Sequence, residues 1–397
     1  MVFTRFSAPL GSGGTDSEEV PRIGFVGTFP PTRCGLATFT ESLVRSISHA
    51  GRAVESVVVR LIQPNEPAGG AGRATVDWIT GDARSFRRVR DVVQDVDLVI
   101  LQHEYGIYGG PDGEEVLDLL NLLRATATPS IAVLHTVVAD PTRHQRAVLE
   151  EVIELADVTV TQTEAARVRL ADYAVTDPER VIVIPHGAWG EPGAGEERCH
   201  ARPLVLSWGL VGPGKGLEHG VAAMARLVDL TPRPTYLIAG ETHPKVRAAQ
   251  GERYREMLQR SAVELGIGDR VVFDGRYRTV SSLATLMRNA DVVLLPYDSR
   301  DQVTSGVLVE ALAAGKPVVA TRFPHAVEAL TSGAGLLVGH GDDEAIADAL
   351  RRILTRPDLA GAMHREAARV GAGLRWPIVA DRYLEVANGL LARRMAA

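Results

Sequence analysis

A chain of 397 residues is too long for one compact α/β unit, so two domains of about 200 residues each are expected. Its hydrophobic share of 45%, with only 5% aromatics, is that of a soluble globular protein with sizeable cores, and a net charge of −6 excludes a general basic field for nucleic acid. Two cysteines, Cys34 and Cys199, lack metal-ligand spacing and read as reduced thiols of a cytoplasmic protein.

Residues 1–20, MVFTRFSAPLGSGGTDSEEV, have no apolar signal-peptide core and read as a flexible lead-in. No apolar run reaches membrane-spanning length. From Arg22 onward short Val- and Ile-rich runs alternate with amphipathic segments. RIGFVG, VESVVVRLI, DLVILQ, SIAVLH, DVTVTQ and RVIVIP are the strands predicted for a first domain over 21–186. Helical patterns such as GLATFTESLVRSISHA and PTRHQRAVLEEVIELA lie between them, which implies a parallel sheet covered on both faces. The segment DARSFRRVRDVV sets Arg84, Arg87, Arg88 and Arg90 among apolar residues. A solvated helix face is the preferred reading, and weak contact with an anionic membrane surface is the other.

The stretch 187–202 is rich in Gly, Pro and charge, has no periodicity, and reads as a linker. A second domain over 203–374 repeats the scheme with PLVLSWG, TYLIAG, RVVFDG, DVVLLP, KPVVAT and AGLLVG. The last segment, 375–397, is an amphipathic helix expected to cross back onto the first domain. Open parallel sheets bind ligands at the carboxyl ends of their strands, so chemistry should gather in the loops that follow strands.

Those loops carry the candidates. After the first strand, Arg33 and the backbone of Gly35 could meet an acceptor or a phosphate at a helix start. His103 and Glu104 close the third strand, and His135 leaves the next buried run. In SWGLVGPGKGLEHG, Gly214, Lys215 and Gly216 place a cation beside free helix amides, apt for a diphosphate. Gly216 stands where a P-loop would need Ser or Thr, so this is not that motif. His243, Lys245, Arg276 and Arg278 are further polar or basic loop residues. In DQVTSGVLVEALAAGKPVVAT, Thr304, Ser305 and Gly306 open a helix able to hold an anion, and Glu310 is a lone acid on its apolar run.

Taken together, LVGPGKGLEHGVAAMARL, LGIGDRVVFDGRY and ADVVLLPYDSRDQVTSGVLVEALAAGKPVVAT resemble the retaining nucleotide-sugar glycosyltransferases of family four. That resemblance implies a GT-B fold, two Rossmann-like doubly wound α/β domains facing a cleft. It implies that Glu310 accepts the ribose hydroxyls of a nucleoside-diphosphate sugar. Amides of Thr304, Ser305, Gly306 and Val307, with Lys215 and Arg276, would receive its diphosphate. His135 would lie near the donor sugar, and Arg33, Gly35, His103 and Glu104 would shape the acceptor side. The donor would be UDP- or GDP-linked and the acceptor a carbohydrate, lipid-linked or small molecule. No cofactor or metal is implied, and closure about Pro185 to Gly187 would exclude water.

Two positions depart from the family pattern. Gln302 stands where the family has a glutamate toward the transferred sugar, and Leu210 where it has an arginine sharing the diphosphate. They leave room for a phosphorylase or epimerase of the same superfold, or for a binding protein without turnover.

Overall fold

The computed structural model describes residues 20–49, 54–69, 76–172, 180–189 and 202–396. Most of the lead-in and of the linker, with Cys199, lies outside the described residues.

The first half builds seven parallel strands: β1 (Arg22–Gly27), β2 (Glu55–Ile62), β3 (Val76–Ile79), β4 (Leu98–His103), β5 (Ser130–Leu134), β6 (Val158–Thr161) and β7 (Val181–Val183). Their order is β3-β2-β1-β4-β5-β6-β7. Helices α1 (Gly35–His49), α2 (Ala83–Val93), α3 (Val116–Ala125), α4 (Arg143–Leu155) and α5 (Glu164–Ala171) cover both faces. The apolar runs are continuous because a parallel strand under helices is buried on both sides. In β4 all six residues are buried.

Strand β3 was not among the expected runs. It has four residues, VDWI, including a charge. Asp77 is tolerated because the buried Arg60 of β2 donates to it twice, at 2.7 and 2.9 Å, while Trp78 fills the core against Phe86. In α2, Asp82 caps the helix and Ser85, Val89 and Val93 face inward. Arg84, Arg87, Arg88 and Arg90 are exposed, as on a solvated face. Among the described residues no helix is long and apolar enough to cross a membrane.

The second half builds six parallel strands in the order β10-β9-β8-β11-β12-β13. They are β8 (Leu204–Trp208), β9 (Thr235–Ala239), β10 (Val271–Asp274), β11 (Val292–Leu295), β12 (Val318–Thr321) and β13 (Gly335–Val338). Around them lie α6 (Leu217–Ala225), α7 (Pro244–Gln250), α8 (Arg253–Glu264), α9 (Val280–Asn289), α10 (Gly306–Ala313), α11 (Pro324–Leu330), α12 (Asp343–Thr355) and α13 (Pro357–Ala372). The last helix, α14 (Trp376–Ala396), packs Trp376, Val379, Tyr383 and Leu384 against Phe25, Phe39, Leu43 and Ile47 of the first half. Ala188 donates to Leu374 O and accepts from Trp376 N–H, so the two chain crossings are bonded to each other. Gly187 passes so close to the Trp376 indole that a Cβ there would overlap the ring.

In each sheet the strand order reverses once, between β1 and β4 and between β8 and β11. Crevices of open α/β sheets form at such reversals. The loops after these four strands are the ones holding Arg33, Glu104, Lys215 and Gln302.

Candidate active site

The second half supplies an anion-binding helix end. Ser305 caps α10, its hydroxyl accepting from Leu308 N–H at 3.3 Å. The sequence reading assigned the Ser305 amide to a diphosphate, but that N–H already donates to Nδ1 of His325 at 2.8 Å. Among the described residues the amides of Gly306 and Val307 have no backbone partner. They point out of the first turn with the positive end of the helix dipole behind them. Beside them the Thr304 hydroxyl is buried without a partner.

Lys215 reaches this region from the loop after β8, its ammonium 4.3 Å from the centre of the Tyr297 ring. Tyr297 is itself buried and stacked on Phe323, so the lysine rests on a fixed platform. Gly214 accepts from Asp298 N–H at 3.1 Å, tying that loop to the end of β11. Burial, then Lys245 and Lys215, hold His243 below its ordinary pKa, which places both ammoniums near one imidazole. Arg276 and Arg278 are committed elsewhere, since both pair with Asp274. Of the basic loop residues Lys245, Arg276 and Arg278, Lys245 alone has no such ion-pair partner among the described residues.

One turn into α10, Glu310 accepts from the indole N–H of Trp208 at 3.2 Å. Burial pushes its pKa up to about 7, with the Trp208 bond opposing the rise. Sequence reasoning did not single out Trp208; an aromatic ending a buried strand reads as core.

The first half supplies a neutral, hydrogen-bonded wall. His135 donates from Nε2 to Gln102 Oε1 at 2.8 Å, and its Nδ1 accepts from Gln162 Nε2 at 3.1 Å. Burial, then His186 and His103, lower its pKa to about 3. A ring with both nitrogens engaged and no proton to gain is a fixed dipole, not an acid or base. His186 packs against Phe39 and Trp376 and abuts Gly306, bringing the first half to the start of α10. Glu104 is held by the Thr136 hydroxyl and by Tyr105 N–H, its carboxyl raised by burial and lowered by Lys245. Lys245 belongs to α7 of the second half, so these two groups face each other across the cleft.

His103 was expected on the acceptor side, but it is fully buried behind Tyr105, with neither ring nitrogen bonded. Gly35 is exposed, and a Cβ there would meet nothing within 4 Å. Arg33 is also exposed; it spans the cleft to Glu241 at 3.3 Å and lies over the Tyr277 ring. Gln302 donates its carboxamide to Thr304 O at 3.0 Å, folding the turn before α10.

Beyond the expected residues, Glu218, His219 and Asp298 bring ligand atoms within 4.8 Å of one another. His219 is already flanked by Asp343 at 2.7 Å, and Glu218 accepts from Tyr254 at 2.5 Å. Glu218 and His219 are neighbours on α6 but Asp298 lies in the loop after β11, so no spacing in the sequence announced the cluster.

Residues 196–370 match the family of glycosyl transferases group 1. The likeness to group 1 glycosyl transferases thus lies in the second half of the chain. A D-inositol 3-phosphate glycosyltransferase of Stackebrandtia nassauensis is 31% identical over 259 residues, which is 62% of this chain but 57% of that protein's length. The Corynebacterium glutamicum enzyme of the same name is 28% identical over 337 residues, 79% of this chain and 76% of its own. Among solved structures, Anabaena HepE in complex with UDP and glucose superposes with a TM-score of 0.73 at 16% identity, over 93% of this chain and 100% of that one. Sucrose-phosphate synthase from Thermosynechococcus elongatus gives 0.72 at 20% identity, over 94% and 100%. Such identities speak to fold alone, and that fold is GT-B.

Proposed function

We propose that the chain transfers a hexose from a nucleoside-diphosphate sugar to an acceptor hydroxyl, with retained configuration and no metal ion. The observation that carries this reading is the α10 terminus: free amides at Gly306 and Val307, Lys215 beside them, and a half-buried acid, Glu310, one turn further on. Amides and ammonium match a diphosphate, and a carboxylate at that distance along the helix matches ribose hydroxyls. Lys245 supplies the second cation that Leu210 does not. Gln302 keeps a carbonyl acceptor and two donors for the sugar while lacking a charge.

In the transfer the acceptor oxygen bonds to the anomeric carbon as the bond from that carbon to the diphosphate breaks. The electron pair leaves with the nucleoside diphosphate, and the hydroxyl proton passes to the departing phosphate oxygen. Front-face transfer is favoured by the wall opposite the donor. On that wall Glu104 is tied to Thr136 and Tyr105, and His135 has no free nitrogen. Neither is presented as a covalent nucleophile. Charge developing on the leaving diphosphate is met by Lys215 and the helix amides. The names of the curated relatives make a phosphorylated polyol the first acceptor class to assay, with Arg33 as the cation on the acceptor side.

Thermal unfolding with UDP, GDP, ADP, dTDP and inorganic phosphate tests the donor. A ligand at about 100 times its dissociation constant adds roughly 2.7 kcal/mol to the native state. One nucleoside diphosphate should raise the melting temperature well above phosphate; no response to any of them would sink the reading. Lys215→Ala should then lower affinity for that nucleotide about 10–100-fold, the range for one lost charge-assisted bond, as measured by calorimetric titration. An unchanged dissociation constant would remove Lys215 from the site.

A further inference from the structure

Resting on that donor reading, we propose that the first half of the chain completes the donor site, with Thr163 and Arg169 acting as positioning residues for Gln302. The turn before α10 belongs to the second half by sequence, yet the first half holds its backbone. The Thr163 hydroxyl, at the start of α5, donates to Val303 O at 2.8 Å in a fully buried bond. Arg169, two turns along the same helix, donates to Asp301 O at 2.7 Å and to Val137 O at 3.0 Å. These are the carbonyls on either side of Gln302.

The Val303 side chain follows its backbone. It is 4% exposed and packs in the first half's core with Val137, Ala166 and Leu170. The second half answers in kind: Glu328 of α11 accepts from the Glu164 and Ala165 amides at 3.0 and 2.8 Å, capping α5 from across the seam. From their own half, the turn residues have the His325 N–H bond to Gln302 O at 3.4 Å, the Gln302 side-chain bond to Thr304 O, the Asp301 N–H bond to Ser299 Oγ at 3.4 Å and the Ser305 N–H bond to His325 Nδ1 at 2.8 Å.

The groups proposed for the nucleotide, namely Lys215, the two α10 amides and Glu310, touch none of these contacts. Loosening the seam should therefore cost affinity for the sugar and spare affinity for the nucleotide. Calorimetry with UDP and UDP-glucose, and with GDP and GDP-mannose, separates the two, using whichever pair binds the wild type. Thr163→Val and Arg169→Met are each expected to erase about tenfold of nucleotide-sugar affinity, the scale of one lost hydrogen bond to a held group, while the nucleoside diphosphate constant moves less than about twofold. Thr163→Ser keeps both the cap to Ala166 N–H and the bond to Val303 O, and should restore the wild-type difference.

Nucleotide sugar and nucleotide weakening in parallel, together with the melting temperature, would make Thr163 and Arg169 structural only. Unchanged constants for both ligands would overturn the proposal and leave the donor reading intact. If neither nucleotide binds the wild type, the donor reading falls and this one falls with it.

Discussion

Glu310→Gln is expected to weaken nucleoside diphosphate binding about 10–100-fold at mildly alkaline pH, the worth of one or two bonds to a charged acceptor. It should also make that binding nearly indifferent to pH. The wild-type carboxyl titrates at about 7 because burial disfavours its charge. Below that value it is mostly protonated and a poorer acceptor of ribose hydroxyls; above it the full charge is available. Wild-type affinity should therefore rise as pH rises through about 7, and the glutamine variant should lack that rise.

Stability without nucleotide runs the other way. The folded-state pKa lies above the ordinary glutamate value of 4.5, so between the two the folded chain holds a proton that the unfolded chain has released. Stability is then fully present below the unfolded value and is lost as pH climbs through the folded one, by about 1–3 kcal/mol. The uncharged variant escapes this loss. It should match wild type in acid and melt higher than wild type under mildly alkaline conditions. Calorimetric titrations and melting curves across that range check both halves. A variant with wild-type affinity and a wild-type pH profile would remove Glu310 from the ribose.

The strands were legible because a parallel strand under two helix layers is apolar along its whole length, and a run such as LVILQ needs no context to be recognised. Strand β3 was not legible, because Asp77 becomes acceptable only once Arg60, 17 residues earlier, is seen opposite it. The same limit applied in the site. Types and addresses could be read: a lysine after a strand, a small-residue helix start, an acid one turn on. What could not be read is which donors and acceptors were already engaged. His325 takes the Ser305 amide from 20 residues away, Trp208 reaches Glu310 from 102 away, and Thr163 holds Val303 from 140 away. Hydrogen bonds of that span leave no periodicity in a sequence.

These engaged partners change the chemistry ascribed to the cleft. His103, His135, His186 and His325 are all pushed by burial to pKa values of about 3 to 4. Four neutral imidazoles cannot serve as charged groups for a diphosphate near neutral pH, so positive charge there must come from lysine and from helix amides. Nor is any of them a ready general base. Under the proposed transfer the acceptor proton then has its best destination on the departing diphosphate itself, and the wall of histidines and glutamines serves to orient the sugar and exclude water.

Gly216→Ala should be among the most damaging small substitutions in the donor half. Gly216 precedes α6 with φ of 58°, a left-handed conformation that costs an L-residue about 1–2 kcal/mol. The larger obstacle is steric: a Cβ would lie inside the contact radius of the Pro296 carbonyl oxygen. That oxygen cannot easily retreat. The next residue, Tyr297, is pinned by bonds to its own carbonyl from the Thr321 hydroxyl at 2.7 Å and His340 Nδ1 at 2.8 Å. Either the loop or the end of β11 must shift, for a combined cost of about 2–5 kcal/mol, and either movement takes Lys215 off the Tyr297 ring. The melting temperature should fall by roughly 5–15 °C, and nucleotide affinity by more than in Lys215→Ala, since loop and cation move together. Gly214→Ala is the control: its φ is +85° but a Cβ there meets nothing within 4 Å, so it carries the backbone strain without the collision. If the two alanine variants melt and bind alike, the contact with Pro296 is not what fixes the loop; if Gly216→Ala is far worse, the glycine after Lys215 is there to let the loop close on β11.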